Sequence, residues 1–317
     1  MRVGLDIGST TIKCAVLDDK DRLVFSDYER HYSHILEKSE ELLRKVCATY
    51  IPNGVAQLAI SGSAGMGMAD SVGVPFVQEV FATRVAANKL APGTDCIIEL
   101  GGEDAKILFL TNGTEVRMNG SCAGGTGAFI DEIAALLNVQ ADEFEQLAAR
   151  GKTVYSISGR CGVFAKTDIQ PLLIQGAERA DIALSTFHAI AKQTIGGLSQ
   201  GLELTAPIIF EGGPLTFNPT LVRVFAERLN LEERDIVRPD HPETIVARGI
   251  AIAIDELFPG QEDAMTLAEA MERLDKAPAQ TEGPSGTGRP FFASDEEREV
   301  FLRRHLSLIH ISEPTRR

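Results

Sequence analysis

The sequence predicts an α/β protein built of two similar lobes. Strand-like and helix-like segments alternate from residue 1 to about residue 258, and this alternation favours sheets covered by helices. Three of the apolar strand segments end in an acidic residue that is soon followed by glycine, at Asp6, Glu99 and Glu211. The first two continue through a short turn into a second strand. A duplicated fold, with one such hairpin turn in each lobe facing a shared cleft, explains this repetition.

The order of the elements follows from apolar periodicity and from the residues that end each segment. Apolar residues that recur every three to four positions mark helices, whereas shorter apolar runs ending in glycine mark strands. The strands are predicted at residues 2–7, 11–17, 55–61, 96–100, 105–110, 154–158 and 207–210. The helices are predicted at residues 35–49, 126–137, 169–174, 180–202 and 244–257.

Composition and charge exclude several classes of protein. A chain of 317 residues, 44% of them hydrophobic, can bury a sizeable core, which excludes a wholly disordered chain. The net charge of −14 argues against a general nucleic-acid-binding protein or one that binds anionic membranes. No apolar run approaches the roughly 20 residues of a membrane span, and the first residues resemble a strand rather than a secretory signal. Five cysteines in such a chain favour a reducing, cytoplasmic location.

The composition divides the chain into one large domain and a following part. Residues 1–258 form the predicted domain, with a first lobe at about 1–92 plus the C-terminal helix and a second lobe at about 93–243. Residues 259–293 are predicted to be a linker, because they include a stretch rich in Pro, Gly, Ser and Thr. Residues 294–305 begin a further segment with a helix-capping pattern. Residues 306–317 match nothing before them and are interpreted as a non-native tail, so the natural protein is expected to continue differently.

The first two strand-end turns have the residue types that bind phosphate. Glycine lets backbone N–H groups approach a phosphate closely, and Ser9, Thr10 and Thr11 add hydroxyl donors. Asp6 and Glu99 supply carboxylates at the strand ends, where such acids hold a magnesium–water shell or orient an attacking water. Two hairpin loops would then grip the β- and γ-phosphates of a nucleotide from opposite sides, and the third turn would accommodate the nucleoside.

These turns also have simpler interpretations, and two other nucleotide-binding folds are alternatives. Each acid–glycine turn alone is an ordinary tight turn, but three of them in order at the ends of apolar strands favour a nucleotide site. No GxxxxGK[ST] stretch is present, which argues against a P-loop enzyme, and no GxGxxG opens a βαβ unit as in dinucleotide-binding folds. His31 and His34 are interpreted as surface or turn residues.

The cysteines fall into two groups. Cys14, Cys47 and Cys96 lie in apolar or helical settings and are interpreted as buried thiols. Cys122 and Cys161 are surrounded by small residues and precede helices, whose N-termini stabilise thiolates. Two thiolates cannot complete a four-iron cluster, but a symmetric dimer would supply four. From the spacing alone, a cluster and a pair of buried or reactive thiols both remain open.

Five segments together carry a resemblance to a known family. They are LDIGSTTIKCAV, IIELGGEDAKI, MNGSCAGGTGAFIDEIA, SGRCGVFAKTDIQPLLIQG and FEGGP. In this order, covering residues 1 to about 257, they resemble the 2-hydroxyacyl-CoA dehydratase activators, which form one activase family with the ATPase subunits of benzoyl-CoA reductase. The segment after the linker is similar to the long fused members, in which a second activase domain and a dehydratase-like region follow.

The resemblance implies an actin-like, sugar-kinase-like ATPase fold with two lobes, each built on a mixed β-sheet with flanking helices. It implies a homodimer, or a pseudo-dimer with a second activase domain, that bridges one 4Fe-4S cluster through Cys122 and Cys161 of each subunit. It implies hydrolysis of MgATP to ADP coupled to delivery of a low-potential electron. The implied acceptor is a 2-hydroxyacyl-CoA dehydratase-like or double-cubane iron–sulfur protein, and the implied electron donor is a ferredoxin or flavodoxin.

The motif match also assigns expected roles to individual residues. Asp6, Glu99 and Asp104 are the expected catalytic acids. The residues expected to bind the nucleotide are Gly8, Ser9, Thr10, Thr11, Ile12 and Lys13 in the first loop, Gly101 and Gly102 in the second, and Gly212 and Gly213 in the nucleoside turn. The sequence departs from the simpler activators at Glu99 and Glu103, where those proteins carry Asp and Gln. Its nucleoside turn reads Gly-Gly-Pro-Leu-Thr-Phe-Asn where they have Gly-Gly-Val-Ala-x-Asn.

Two other functions fit the same fold class. A small-molecule kinase would release a phosphorylated product and would need a catalytic acid facing its substrate. A nucleotide-gated scaffold without redox chemistry would bind no cluster. Neither of these functions requires the two segments around Cys122 and Cys161.

Overall fold

The computed structural model describes residues 1–51, 53–111, 113–119, 123–257, 267–276, 292 and 294–309. Residues 1–275 form one compact unit, and the remaining residues form a second one. Cys122, the Pro- and Gly-rich stretch 277–290 of the predicted linker and most of the predicted tail lie outside the described residues.

Two mixed sheets, with matching strand order, organise the first unit. Their strands are β1 Arg2–Ile7, β2 Thr11–Leu17, β3 Leu23–Arg30, β4 Gln57–Ser61, β5 Cys96–Leu100, β6 Ala105–Phe109, β7 Glu115–Met118, β8 Ile208–Glu211 and β9 Ile236–Val237. The first sheet has the order β3-β2-β1-β4 and the second the order β7-β6-β5-β8-β9. In the first sheet, β1 is antiparallel to β2 and parallel to β4. In the second sheet, β5 is likewise antiparallel to β6 and parallel to β8. The predicted duplication and the predicted α/β class, with a mixed sheet in each lobe, are confirmed.

Helices cover the sheets and connect their strands. They are α1 Ile35–Tyr50, α2 Met66–Val72, α3 Glu79–Leu90, α4 Gly127–Leu136, α5 Phe144–Ala148, α6 Gly162–Ile174, α7 Arg179–Leu198, α8 Gly213–Phe217, α9 Pro219–Leu229, α10 Ile245–Leu257, α11 Leu267–Lys276 and α12 Asp295–Ile309. No helix of the described segments is long and apolar enough to cross a membrane.

The alternation of side chains along the strands determines where the polar residues lie. In β1, Val3, Leu5 and Ile7 face a core shared with α1 and α2, so Gly4 and Asp6 face the opposite side. There α10 packs so closely on Gly4 that a Cβ atom at this position would lie 2.0 Å from a carbonyl oxygen of the helix. In the second sheet, the corresponding face packs on α3 and α10. Both sheets therefore turn one face towards the same two helices, α3 and α10. The strand-end acids lie on these faces, at the ends of their strands.

One predicted strand is wrong. Residues 154–158 form no strand, because the backbone N–H groups of Tyr155 and of the two residues before the segment are bonded to side chains of α7. The N–H groups of Lys152 and Thr153 donate to Asp181 Oδ1 over 2.7 and 3.0 Å, and that of Tyr155 donates to Ser185 Oγ over 2.8 Å. An apolar run that is tied to a helix in this way cannot also pair with a neighbouring strand.

Helix α11 lies within the segment 259–293 that the composition predicts to be a linker. Leu267, Ala270, Met271 and Leu274 of this helix are buried in the core of the first sheet. The first unit therefore continues beyond the predicted domain end at residue 258. In the second unit, Ser294 Oγ accepts the Glu297 N–H at the start of α12, as the capping pattern predicts.

Candidate functional site

The first two strand-end turns face each other across one cavity of about 510 Å³. Each turn is closed by a backbone hydrogen bond from its glycine, Gly8 N–H to Thr11 O over 2.9 Å and Gly101 N–H to Asp104 O over 2.8 Å. The loops approach so closely that a Cβ atom at Gly102 would lie 2.0 Å from Thr10 Oγ1. The cavity is lined by Gly8, Ser9, Thr10, Thr11, Lys13, Ser63, Glu79, Glu99, Gly101, Gly102, Glu103, Asp104, Met118, Asn119 and Ala123. Among the residues expected to act on phosphate, Ile12 is instead buried in the core of the first lobe.

Each lobe contributes an acid–lysine pair to this cleft. In the first sheet, Asp6 is the register partner of Lys13, and Lys13 Nζ donates to Asp6 Oδ2 over 2.8 Å. In the second sheet, Glu99 is the register partner of Lys106, and Lys106 Nζ donates to Glu99 Oε1 over 3.0 Å. Both pairs follow the pattern acid-x-Gly-x-x-x-x-Lys. The sequence analysis missed Lys106, although this repeated spacing was the signal that could have found it.

Lys106 lies among three carboxylates that come from both lobes. Besides Glu99, its ammonium contacts Glu79 Oε1 at 2.9 Å and Asp104 Oδ2 at 2.6 Å, and the side chain is only 3% exposed. Oxygens of the three acids lie within 4.8 Å of one another, a spacing that suits a cation, and here the cation among them is Lys106. Burial would lower the pKa of Lys106, but the carboxylates outweigh it and hold that pKa above its usual range. Glu79, at the start of α3, is a further site residue that the sequence analysis missed.

Two acids near the cleft have raised pKa values. Burial, and then the negative charge of Glu99, raise the pKa of Glu79 to about 8. Burial and the same neighbour raise the pKa of Glu211 well above its usual value.

Several carboxylate oxygens around the cleft lack hydrogen-bond partners. Asp6 Oδ1, Glu99 Oε2 and both oxygens of Glu211 are buried and accept no hydrogen bond from any described residue. The unpartnered oxygens of Asp6 and Glu99, at the strand ends that lead into the two loops, are the groups that a hydrated Mg²⁺ and an attacking water would use.

A second cavity, of about 630 Å³, adjoins the first at Thr10, Thr11 and Gly102 and extends to the third turn. Tyr28 of β3 and Phe217 of α8 meet there edge to face, with ring centroids 5.4 Å apart. Gly213 lies against the Tyr28 hydroxyl, so a side chain at this position would collide with it. The preceding Gly212 has φ of +88°, which favours glycine. This aromatic, open cavity next to the phosphate loops has the character of a nucleoside pocket.

His31 begins a turn closed by the His34 N–H, which donates to the His31 carbonyl oxygen over 2.7 Å, but it is buried against the first loop and does not lie at the surface. It is 3% exposed, its Nε2 lies 3.0 Å from the carbonyl oxygen of Gly8, and its Nδ1 accepts the N–H of Ser33 over 3.1 Å. Its own N–H donates to Thr10 O over 3.2 Å. His31 therefore fixes the backbone of the phosphate loop. Its place in the polar segment YERHYSHI gave no sign of this burial.

An ion pair joins the two lobes at the edge of the larger cavity. The two terminal guanidinium nitrogens of Arg30, at the end of β3, donate to the carboxylate of Asp131 on α4 over 2.8 and 3.0 Å. Both residues line the cavity. The pair holds the first lobe against the helix that follows the first cysteine segment.

Cys161 is half-buried and is the N-cap residue of α6. Cys122 lies outside the described residues, but Gly124 packs on the Arg160 backbone so tightly that a Cβ atom there would lie 2.0 Å from the Arg160 carbonyl oxygen. The flanks of the two cysteine segments are therefore in contact. Cys14 and Cys96 are buried in the cores, as predicted, and burial raises the pKa of each thiol to about 12.

Solved structures of activator proteins are similar to this arrangement in fold. The structure of the activator of the 2-hydroxyisocaproyl-CoA dehydratase from Clostridium difficile with bound ADPNP superimposes with a TM-score of 0.68 at 27% identity, over 87% of this chain and 97% of that chain. The crystal structure of component A of the Acidaminococcus fermentans (R)-2-hydroxyglutaryl-CoA dehydratase superimposes with a TM-score of 0.66, over 79% of this chain and 96% of that chain, and its 24% identity bears on the fold alone. The predicted actin-like, sugar-kinase-like ATPase fold is confirmed.

Sequence comparison agrees with the fold. The 2-hydroxyisocaproyl-CoA dehydratase activator of Clostridioides difficile is 28% identical over 270 residues, which are 84% of this chain and 99% of that protein. Residues 3–251 match the profile of the BadF/BadG/BcrA/BcrD ATPase family. Because this match spans most of the sequence, the chain belongs to the BadF/BadG/BcrA/BcrD ATPase family.

Proposed function

We propose that this protein is an ATP-dependent activator that hydrolyses MgATP and delivers a low-potential electron to a partner iron–sulfur enzyme. The observation that carries the proposal is the continuity between the phosphate cavity and the cysteine segments. Asn119 and Ala123, which flank the first cysteine segment, line the cavity between the two phosphate loops. Gly124 then packs on Arg160, the residue before Cys161. The cavity between the two loops is thus connected to Cys122 along the chain, and to Cys161 through the packing of Gly124 on Arg160. A change at the nucleotide phosphates could in this way affect both cysteines.

The nucleotide would lie along both cavities, with its base near Tyr28 and Phe217 and its phosphates between the two loops. Ser9, Thr10 and Thr11 on one side and Gly102 on the other would donate to the phosphates. Gly8 and Gly101, whose N–H groups close the two turns, would let the backbone come close to the phosphates. Lys13 and Lys106 bring positive charge to each side of the cleft.

Two acids have separate roles in this proposal. The unpartnered Oδ1 of Asp6 fits the water shell of a Mg²⁺ ion bound to the phosphates. The unpartnered Oε2 of Glu99 would orient the attacking water. Asp104 contacts the Lys106 ammonium and would hold it beside Glu99.

The cluster would be held by Cys122 and Cys161 from each of two subunits. The half-buried thiol of Cys161 at the start of α6 fits this assignment, because a helix N-terminus stabilises a thiolate. When bound, a 4Fe-4S cluster supplies one electron at low potential. Val163 and Phe164, next to Cys161 on α6, are 67% and 63% exposed, and such apolar side chains would be covered by the second subunit.

The partner class follows from the relatives, which are named as activators of 2-hydroxyacyl-CoA dehydratases and as a subunit of benzoyl-CoA reductase. By analogy, the acceptor of this protein would be a dehydratase-like or double-cubane iron–sulfur protein. A ferredoxin or flavodoxin would be the electron donor, and the protein would act in the cytoplasm.

Anaerobic purification with iron and sulfide assays tests the proposal. We expect about four irons per dimer in the wild type and their loss in Cys122→Ser and Cys161→Ser, with ATP hydrolysis retained by the folded lobes. Cys47→Ser is the matched control, since Cys47 is half-buried on α1 in the first lobe, and it should keep its iron. Wild-type protein that cannot be reconstituted with iron, or a Cys161→Ser variant with a full cluster, would contradict the redox function. A phosphorylated small molecule among the products would instead indicate a kinase.

A further inference from the structure

Glu211 is a buried acid to which the nucleotide mechanism above gives no role. It is the last residue of β8, directly before Gly212 of the third turn, and only 1% of its surface is exposed. Neither of its carboxylate oxygens accepts a hydrogen bond from any part of the chain that the structure describes. A buried ionised carboxylate without donors is strongly unfavourable, so this side chain requires an explanation.

The pairing of β5 with β8 places Glu211 next to Glu99. The two strands are parallel, and Glu99 and Glu211 are register partners. Their neighbours Ile97 and Ile209 share the core against α3 and α10, so alternation puts both acids on that same face of the sheet. Register partners on one face lie about 5 Å apart, close enough for their carboxyl groups to interact. Glu99 Oε2 also lacks a hydrogen-bond donor among the described residues.

The charges around Glu211 favour its neutral form. The acids that act on it are Glu99 of β5 and Glu79 of α3, and the cations are Lys106 of β6 and Lys13 of β2. Lys106 already contacts Glu79, Glu99 and Asp104, and Lys13 already contacts Asp6. Four acids thus share two ammonium groups before Glu211 is counted. Burial and the nearby Glu99 raise the pKa of Glu211 in the same direction.

We propose that Glu211 is a protonated positioning residue, whose O–H donates a hydrogen bond to one lone pair of Glu99 Oε2. This bond orients the Glu99 carboxylate and leaves the second lone pair of Oε2 for the attacking water. A carboxylic acid is the one form of this side chain that has a donor, and Glu99 is the acceptor that its strand register provides. Glu211 keeps its proton throughout and touches no reacting atom. The inference rests on the proposed role of Glu99 in ATP hydrolysis and adds the residue that holds Glu99 in place.

The test compares Glu211→Gln, which keeps a neutral donor, with Glu211→Met, which has similar length and no donor. Steady-state ATP hydrolysis is measured for both variants and the wild type from about pH 6 to pH 10. We expect kcat of Glu211→Met to fall by about 10- to 100-fold, while Glu211→Gln stays within about threefold of the wild type. In the wild type kcat should decline at high pH, where Glu211 loses its proton, and Glu211→Gln should lack this decline. KM for MgATP should change little in either variant.

Three outcomes would overturn the inference. If Glu211→Gln is as inactive as Glu211→Met, an ionised carboxylate is required. If Glu211→Met is as active as the wild type, or if the high-pH decline persists unchanged in Glu211→Gln, Glu211 does not position Glu99 through its proton. If Glu211→Met does not fold, the pH profile of Glu211→Gln alone decides. A wild-type protein without ATPase activity would instead contradict the proposed function.

Discussion

At the scale of single residues, only two lysines in the described part of the cleft balance the negative charge of the four acids that they contact. Lys106 contacts three carboxylates and is almost fully buried, whereas Lys13 contacts Asp6. The charge balance of the second loop therefore depends on one ammonium group. Its removal would leave acids from both lobes facing one another without compensation, which is far more costly than the loss of an exposed pair.

Lys106→Met should therefore lower the free energy of unfolding by about 3–5 kcal/mol in the protein without nucleotide. Lys38→Met is the matched control, because Lys38 also contacts two carboxylates, Glu29 and Glu41, but at the surface. Its loss should cost less than about 1 kcal/mol. Urea denaturation of both variants measures the difference, and equal losses would show that Lys106 is not the essential counter-charge.

Glu79→Gln should change how stability depends on pH. The pKa of Glu79 is raised in the folded protein to about 8 from a usual value of 4.5, so folding favours its protonated form. Its contribution to stability is fully present below the usual pKa and is lost as the pH rises to about 8. The wild type should thus lose roughly 1–3 kcal/mol more than Glu79→Gln over this interval.

Urea denaturation at pH 5 and at pH 9 measures this difference between the two proteins. Parallel losses of stability in Glu79→Gln and the wild type would mean that Glu79 does not titrate in this interval.

The sequence predicted the strand-end acids and the two turns that face each other across the cavity, because glycine and hydroxyl residues next to an apolar strand form a local pattern. It could not predict Glu79, because Glu79 comes to the site only when the first lobe packs against the second. Glu211 was recognised as a strand-end acid, but its burial opposite Glu99 depends on the pairing of strands that are more than a hundred residues apart.

At the scale of elements, the sequence predicted the strands that are buried along their length and missed those that are only partly buried. Strands β3 and β7 lie at sheet edges and are only partly buried along their length, so their sequences lack a clear alternation. Helix α3 was missed as well. Its buried residues include Ala82, Ala86 and Ala87, small side chains that give a weak apolar signal but allow close packing of helices.

The close packing of α3 on α10 predicts that replacing glycine by alanine changes the free energy of unfolding in opposite directions at two positions. A Cβ atom at Gly249 of α10 would lie 2.0 Å from the Ala82 carbonyl oxygen of α3, whereas Gly196 of α7 has open space around its Cβ position. Gly249→Ala should lower the free energy of unfolding by about 3 kcal/mol, because the helices would have to separate. Gly196→Ala should raise it by about 0.5–1 kcal/mol through helix propensity.

Thermal and urea unfolding of the two variants check this pair of effects. A stable Gly249→Ala protein would show that α3 and α10 can move apart without cost. In that case the helices between the sheets would not fix the distance between the strand-end acids.

At the scale of the whole first unit, the two lobes meet at the nucleotide cavities through few contacts of different kinds. The Arg30–Asp131 ion pair and the Tyr28–Phe217 ring contact both run from β3 of the first lobe to residues of the second. Arg30 and Asp131 also line the larger cavity. A nucleotide in that cavity, as proposed above, would be held by an ion pair that joins the two lobes beside it.

Breaking this ion pair should speed nucleotide release. Both side chains are partly exposed, and exposed pairs contribute about 0.2–1 kcal/mol, which corresponds to an increase in the release rate of up to about fivefold. Arg30→Ala and Asp131→Asn should each show it in stopped-flow release of a fluorescent ADP analogue, and the exchanged variant Arg30→Asp with Asp131→Arg should restore slow release. Arg22→Ala, which removes a surface pair with Asp18 inside the first lobe, should leave the rate unchanged. If the exchanged variant releases nucleotide as fast as the single variants, the lobes are held by contacts other than this ion pair to α4.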